Sequence, residues 1–474
     1  MKLILVSLAF VAACGDNDTS NRPDAAPRPD AAPDAPPDGP SYTPPTPFAV
    51  PLSPAGEDQL QSVTAGPDNT FIAAGFAAET VAGARTVVVV KLTTTGLDTT
   101  FGGGDGIATT DVVFVGGAGE VAVATQSDGK IIVTATTVDP DDADDRDVAV
   151  LRFNADGTLD DTFDTDGKLT IDLNTGHDNG GATLVARDAA RGVAIGADDS
   201  IFVLGLARGE GTATGGGPRL DSDFTVAKLS ALGVPDVTFD TDGKAFFDIT
   251  ESDATPRGIR ALAGGTVLVG GYANSAGVGT VQPVVYKLTA LGVPDATWAS
   301  GVFHEVVLAT VTEVYNFAIH DAHVVTAGYG RAEMTATNDW VSLRFDLATG
   351  ARDLTWGGTT NGAVVIDVSG ANIGDNCRNA VALPGGKTAL VGSTGPGNAP
   401  EQDAAFAILD ANGMLDPAYG DGVHSFALGA NGNDQFWGGA VSGNALALVG
   451  YKGGGMTQTE TVNDDAYGLI IPLE

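Results

Sequence analysis

Cysteine is scarce: only Cys14 and Cys377 occur in 474 residues. With Cys14 assigned to lipid, as argued below, no internal disulfide can form, so the fold rests on packing and hydrogen bonding. Cys377 has no nucleophile motif around it and reads as a small buried thiol. Histidine is scarce too, with His177, His304, His320, His323 and His424. His320 and His323 suggest a metal pair, but residues three apart share a face only in a helix, and this pair falls in a turn. No metal is therefore assigned there. Basic residues number 24 against 60 acidic ones, a net charge of −36, which becomes −37 when Lys2 leaves with a signal segment. Such a surface repels phosphate backbones and anionic headgroups, excluding nucleic acid and favouring cations or basic partners; it also keeps a glycine-rich β protein soluble. No GxSxG, HExxH, Walker or dinucleotide signature lies in a matching context, so no catalytic residue is assigned.

What is present begins with Met1-Lys2 and an apolar run, Leu3 to Ala13. The run is too short for a stable span and has the parts of a secretory signal. Its ending, Val11-Ala12-Ala13-Cys14, resembles a bacterial lipobox. That resemblance implies cleavage before Cys14, acylation of Cys14, and, with Gly15 following, an outer-membrane lipoprotein. Several acyl chains on one residue suffice for stable anchoring. Ordinary signal-peptidase cleavage or an uncleaved apolar start are the alternatives. Residues 14–47 repeat Pro-Asp-Ala, and proline density with like charge predicts an extended tether. At about 3.1 Å per residue it reaches roughly 100 Å.

From residue 48 to 474 the chain is built of imperfect copies of one unit. An apolar second strand recurs seven times, beginning at Phe71, Ile131, Ile201, Thr266, His323, Thr388 and Ala445. A third strand recurs as often, beginning at Thr86, Asp147, Asp223, Gln282, Asp339, Asp403 and Asp465. An Asp-x-x-aromatic turn follows the first six: Asp98/Phe101, Asp160/Phe163, Asp236/Phe239, Asp295/Trp298, Asp353/Trp356 and Asp416/Tyr419. The seventh copy ends before its fourth strand, while Phe48 to Leu52 resembles one. Four-stranded units about sixty residues long predict an all-β, seven-bladed propeller closed by that N-terminal strand in the last blade.

The pattern aVAxxxDGKIIVxxx followed by DxAVxRFxxDGxLDxTFxxDGK, as in residues 121–168, resembles the delta-60 repeat of bacterial β-propellers. The resemblance implies a secreted or surface-attached propeller and supplies no catalytic residues. Repeat four departs from it at Gly264-Gly265 and Ala299-Ser300-Gly301, and repeat five at the His320–His323 turn.

The acidic turns DTFDTDGK and VTFDTDGK invite a calcium reading. Setting Gly167 at the sixth EF-hand position puts Thr162 first and Leu173 twelfth, so both essential ligands are missing. Asp side chains bonding nearby N–H groups explain the turns more simply, with calcium there only adventitious and no cofactor assigned. Lys91, Arg152, Lys228, Lys287 and Arg344 recur at one third-strand position, replaced by Ile408 and Ile470, and are expected to pair with a neighbouring acid.

Functional chemistry is sought where copies differ. The longest insertions (138–146, 174–188, 207–222 and 453–464) fall on one variable rim, the rim carrying ligand-selecting loops. At the start of the first strands the copies show Gln61, Glu120, Arg191, Arg257, Tyr315, Arg378 and Phe436, with Trp437 beside the last. Arg191, Arg257 and Arg378 predict an anion site, with Glu120, Tyr315 and Trp437 as further ligand-binding residues, Trp437 adding a stacking surface; pairing of the arginines with acidic loops such as Asp188 or Asp375 is the competing reading. The sequence thus predicts a monomeric, membrane-anchored binding scaffold in the bacterial envelope, with a protein or glycan partner. A propeller enzyme acting on glycans and a purely structural envelope protein are the alternatives.

Overall fold

The computed structural model describes residues 42–474 except 54–55, 81–82, 116–119, 140–144, 175–176, 180–181, 185–187, 210, 218, 220, 250, 275–279, 335, 370–373, 396–400, 421, 430–431, 454–464 and 474. The signal segment, Cys14 and the tether up to residue 41 lie outside the described residues, as do parts of the variable-rim insertions.

Ser41–Glu474 forms one compact unit. It is an all-β propeller of antiparallel meanders. The second and third strands are apolar on both faces, because each is flanked by neighbouring sheets. Phe71–Ala77 is buried at every position, and Arg146–Phe153 at all but its first. Strands covered on both faces read as continuous apolar runs; those at an exposed edge alternate. Ile107–Val113, the outer strand of repeat one, alternates accordingly. Core clusters span adjacent repeats. Ile72, Val87 and Phe101 of repeat one pack with Val123, Ile131 and Leu151 of repeat two.

The first strands are Asp58–Ala65, Ala122–Thr125, Ala189–Ile195, Ala254–Ala261, Asn316–Ile319, Asp375–Ala382 and Gln435–Ser442. Each contacts the next, and the last returns to the first. Closure is covalently discontinuous: Phe48–Ala49 pairs antiparallel with Asp465–Pro472 through Phe48↔Gly468 and Ala49↔Tyr467. The Val50 N–H donates to Ala466 O at 2.8 Å, and the Ala466 N–H to Asp58 Oδ1 at 2.6 Å. The departures of repeats four and five have structural counterparts. In repeat four the outer edge is reduced to a bridge between Val285 and Phe303. Val311–Thr312, ahead of repeat five, pairs with both Val281 and Arg331 and so joins two sheets.

The repeated turn residues weld neighbours together. Each turn Asp caps its own turn, as Asp160 Oδ1 does by accepting the Thr162 N–H at 3.1 Å. Its other oxygen takes the third-strand cation: Asp98 from Lys91 at 3.1 Å, Asp160 from Arg152 at 2.7 Å, Asp236 from Lys228 at 2.8 Å and Asp295 from Lys287 at 2.7 Å. Arg344 pairs with Asp353 likewise. Where Ile408 replaces the cation, Lys387 reaches Asp416 at 2.6 Å instead. The buried aromatic sits on a glycine of the following repeat. A Cβ on Gly233 would lie 2.8 Å from the Phe163 ring, and one on Gly413 2.7 Å from Trp356. Among the described residues, the contact at Tyr419 is of another kind. Tyr42 packs edge-on against Tyr419 instead, ring centroids 5.1 Å apart.

Candidate functional site

A β-bulge brings the candidate residues to the axis. In five first strands the pairing skips one residue, between Leu60 and Ser62, Ala190 and Gly192, Pro256 and Gly258, Cys377 and Asn379, and Phe436 and Gly438. The skipped residues are Gln61, Arg191, Arg257, Arg378 and Trp437. An extra residue on one strand re-aims its side chain out of the ladder. Opposite each bulge stands a glycine; at four of the five the bulged backbone presses on that position, while at Gly205 the Leu173 side chain does, 2.2 Å from an ideal Cβ. A Cβ would meet Gln59 O at 1.8 Å from Gly75, and Asn376 O at 2.0 Å from Gly392. Repeat two has Ala135 there, and its first strand pairs without a skip over Ala122–Thr125.

The five skipped residues, with Glu120 of repeat two and Tyr315 of repeat five, line one axial cavity of about 400 Å³. The placement of Phe436 in this ring is corrected. Phe436 is fully buried in the interblade core, and Trp437 takes the axial position. The bulge adds one residue that counting in steps of two cannot register.

The expected acids are not the partners of the arginines. Asp188 accepts the N–H groups of Leu173 and Asn174, and Asp375 those of Val368 and Gly395. Glu120 serves two arginines instead. Its Oε1 lies 3.1 Å from Arg191 Nη1 and 2.5 Å from Arg257 Nη1. Arg257 also donates to Tyr272 Oη at 3.2 Å.

Arg378 is different. No ion pair or hydrogen-bond acceptor engages its guanidinium among the described residues, and its Nε is buried without a partner. Aromatic rings hold it, with its Cζ 4.7 Å from the Tyr315 centroid and 4.8 Å from that of Trp437. Arg257 stacks on Tyr315 as well, at 4.4 Å, and the Tyr315 and Tyr329 hydroxyls are 3.0 Å apart. Cation–π contact holds a guanidinium while leaving its N–H edge free for a planar anion.

Two groups escaped the sequence reading, Arg260 and Glu313. Arg260 lines the cavity, and burial pushes it down to about 10. Glu313 is held up by burial, partly offset by Arg257 and Arg378. Burial also pushes Tyr315 up to about 12, so its phenol keeps its proton. The cavity lining therefore carries four arginines and one carboxylate, Glu120, inside a protein of net charge −36. The bulge glycines of the second strands were the available signal for this ring. Arg260 had none, standing where other copies have Thr64 or Ala194.

The remaining candidates fall elsewhere. The His320 Nε2 and Thr388 Oγ1 are 3.0 Å apart, a contact between repeats five and six. Cys377 is buried, and burial pushes its thiol up to about 12. No helix among the described residues is long and apolar enough to cross a membrane.

A family-model match over one stretch agrees on architecture. Residues 126–163 match a family model described as a domain of unknown function (DUF5122) beta-propeller. No curated protein matches the chain. Among solved structures it is similar to a protein of unknown function from Dyadobacter fermentans, at 10% identity over 92% of this chain and 100% of that one, TM-score 0.43. The polysaccharide lyase Uly1 is similar at 12% identity over 92% of each chain, TM-score 0.47. The beta-propeller domain of the Trilobed protease from Pyrococcus furiosus gives 10% identity over 89% of this chain and 96% of that one, TM-score 0.45.

Proposed function

We propose that this chain is a lipid-anchored, extracytoplasmic, seven-bladed propeller that binds an anionic group in its axial cavity. The group is a carboxylate, sulfate or phosphate carried by a glycan or a protein. The blade count is supported by the cyclic order of the first strands, and the anchor by the Val11-Ala12-Ala13-Cys14 ending. The observation carrying the binding reading is Arg378: a stacked guanidinium without an anion of its own, in a cavity where four arginines face one Glu120. Charge-assisted hydrogen bonds to such a group contribute about 1.5–3 kcal/mol each.

Titration of the full chain with glucuronate, sulfate and phosphate, followed by Trp437 fluorescence, tests this. Arg378→Gln should weaken binding about 10- to 100-fold with little change in thermal unfolding. Wild-type affinity in that variant would sink the reading. Replacing Arg191 and Arg257 should lower Tm, because Glu120 then loses both counter-charges. For the anchor, Cys14→Ser should release the protein from membranes; retention would refute acylation.

A second reading, glycan cleavage by β-elimination, is favoured by one arrangement, the Tyr315–Tyr329 hydroxyl pair beside two arginines. A phenol held up to about 12 suits proton donation and opposes proton abstraction, so binding without turnover fits the site better. An ultraviolet assay for unsaturated uronate products from polyuronates decides between them.

A further inference from the structure

On the variable rim, away from the axial cavity, three carboxylates converge between repeats two and three: Asp147 of the third strand, Asp172 after the fourth, and Asp188 before the next first strand. One oxygen from each lies within 4.8 Å of the others. Asp188 is wholly buried. Its Oδ2 accepts two backbone N–H groups, at 2.5 and 3.0 Å, while its Oδ1 is buried with no hydrogen-bond partner. A buried Oδ1 of Asp172 is also unpartnered. No ion pair with a basic group reaches any of the three among the described residues.

The next repeat shows what this arrangement takes. Asp223 and Asp248 occupy the positions of Asp147 and Asp172, and Asp221 completes the triad. There the loop between second and third strands inserts a guanidinium. Arg219 contacts Asp223 at 2.6 and 2.9 Å, Asp248 at 2.8 Å and Asp221 at 3.1 Å. In repeat two the same loop brings Asp139 and Asp145 close to Asp147.

We infer that the Asp147, Asp172 and Asp188 triad binds a divalent cation, Ca²⁺, in the place that Arg219 fills in the following repeat. The donors are carboxylate oxygens drawn from separate elements, with no nitrogen or sulfur, which selects a hard cation. Irregular geometry around three unlinked carboxylates suits Ca²⁺ better than octahedral Mg²⁺. A triad of the same positions, Asp339, Asp367 and Asp375, lies between repeats five and six.

The full chain, stripped of metal, is titrated calorimetrically with CaCl₂ and with MgCl₂ at constant ionic strength, alongside thermal unfolding. Ca²⁺ should bind more tightly than Mg²⁺ and raise Tm. Asp172→Asn should remove one Ca²⁺ equivalent and part of the Tm gain; it is preferred because Asp188→Asn also disturbs two backbone contacts. Arg219→Gln should add one equivalent by vacating the neighbouring triad. The inference is overturned by absence of Ca²⁺ binding, by equal responses to both metals, or by stoichiometry unchanged in Asp172→Asn.

Discussion

A glycine opposite each bulge is the smallest unit of design in this molecule. It has no catalytic chemistry, yet it admits the kinked backbone that turns Arg378 or Trp437 inward. Gly392→Ala would force a methyl against Asn376 O, 2.0 Å from the ideal Cβ position. Overpacking of this kind costs about 1–3 kcal/mol. A lower urea midpoint and weaker anion binding should therefore appear together. The converse substitution, Ala135→Gly, meets no bulge and should cost only about 1 kcal/mol, through backbone entropy. Equal losses in the two variants would show that the bulge has no special demand for glycine. The axial residues were legible as a set because they share one register, but their chemistry was not. Glu120 was read as a ligand-binding residue, and nothing in the sequence announced that it ties Arg191 and Arg257. Phe436 and Trp437 exchanged roles because a bulge shifts register without changing composition.

At the scale of the repeated element, one Asp joins three things: its own turn, the third strand and, through the aromatic that follows, the next sheet. Phe239→Ala empties a fully buried site against Gly292 of the following repeat and should cost about 3–5 kcal/mol. Denaturant unfolding measures it, and a loss below 1 kcal/mol would show that the aromatic is not the interblade contact. The pairs also set acid stability. Hydrogen bonds from Lys228 and Thr238 hold Asp236 down at about 2, and those from Lys287 and Thr297 do the same for Asp295. A folded pKa below the unfolded one gives stability that is present above the ordinary carboxylate range and lost as pH falls toward about 2. Urea midpoints should decline from pH 4 downward, and less steeply in Lys228→Met. These elements were the most readable part of the chain, since repetition exposes a shared contact without any structure. Their partners in the adjacent repeat were not readable, because nothing in one copy states which atom of the next it touches.

For the whole molecule, closure and charge dominate. The ring is shut by Phe48–Ala49 and by Asp58, whose carboxylate receives Ala466 N–H across the seam. Burial pushes Asp58 up to about 6. A folded value raised above the unfolded one gives a contribution fully present below the ordinary range and lost as pH rises through about 6. Together with self-repulsion at −36, this predicts higher Tm at pH 5 than at pH 8, with added salt narrowing the gap. A Tm that rises from pH 5 to pH 8 would contradict it.

The Tyr42 contact sets where the described chain meets the ring. Tyr419 belongs to the rim of regular turns, where Lys130 of one hairpin also meets Asp160 of another. The described chain thus begins on the uniform side of the ring, and the ring-on-ring contact that covers Tyr419 lies away from the acidic triads and the bulged end of the channel.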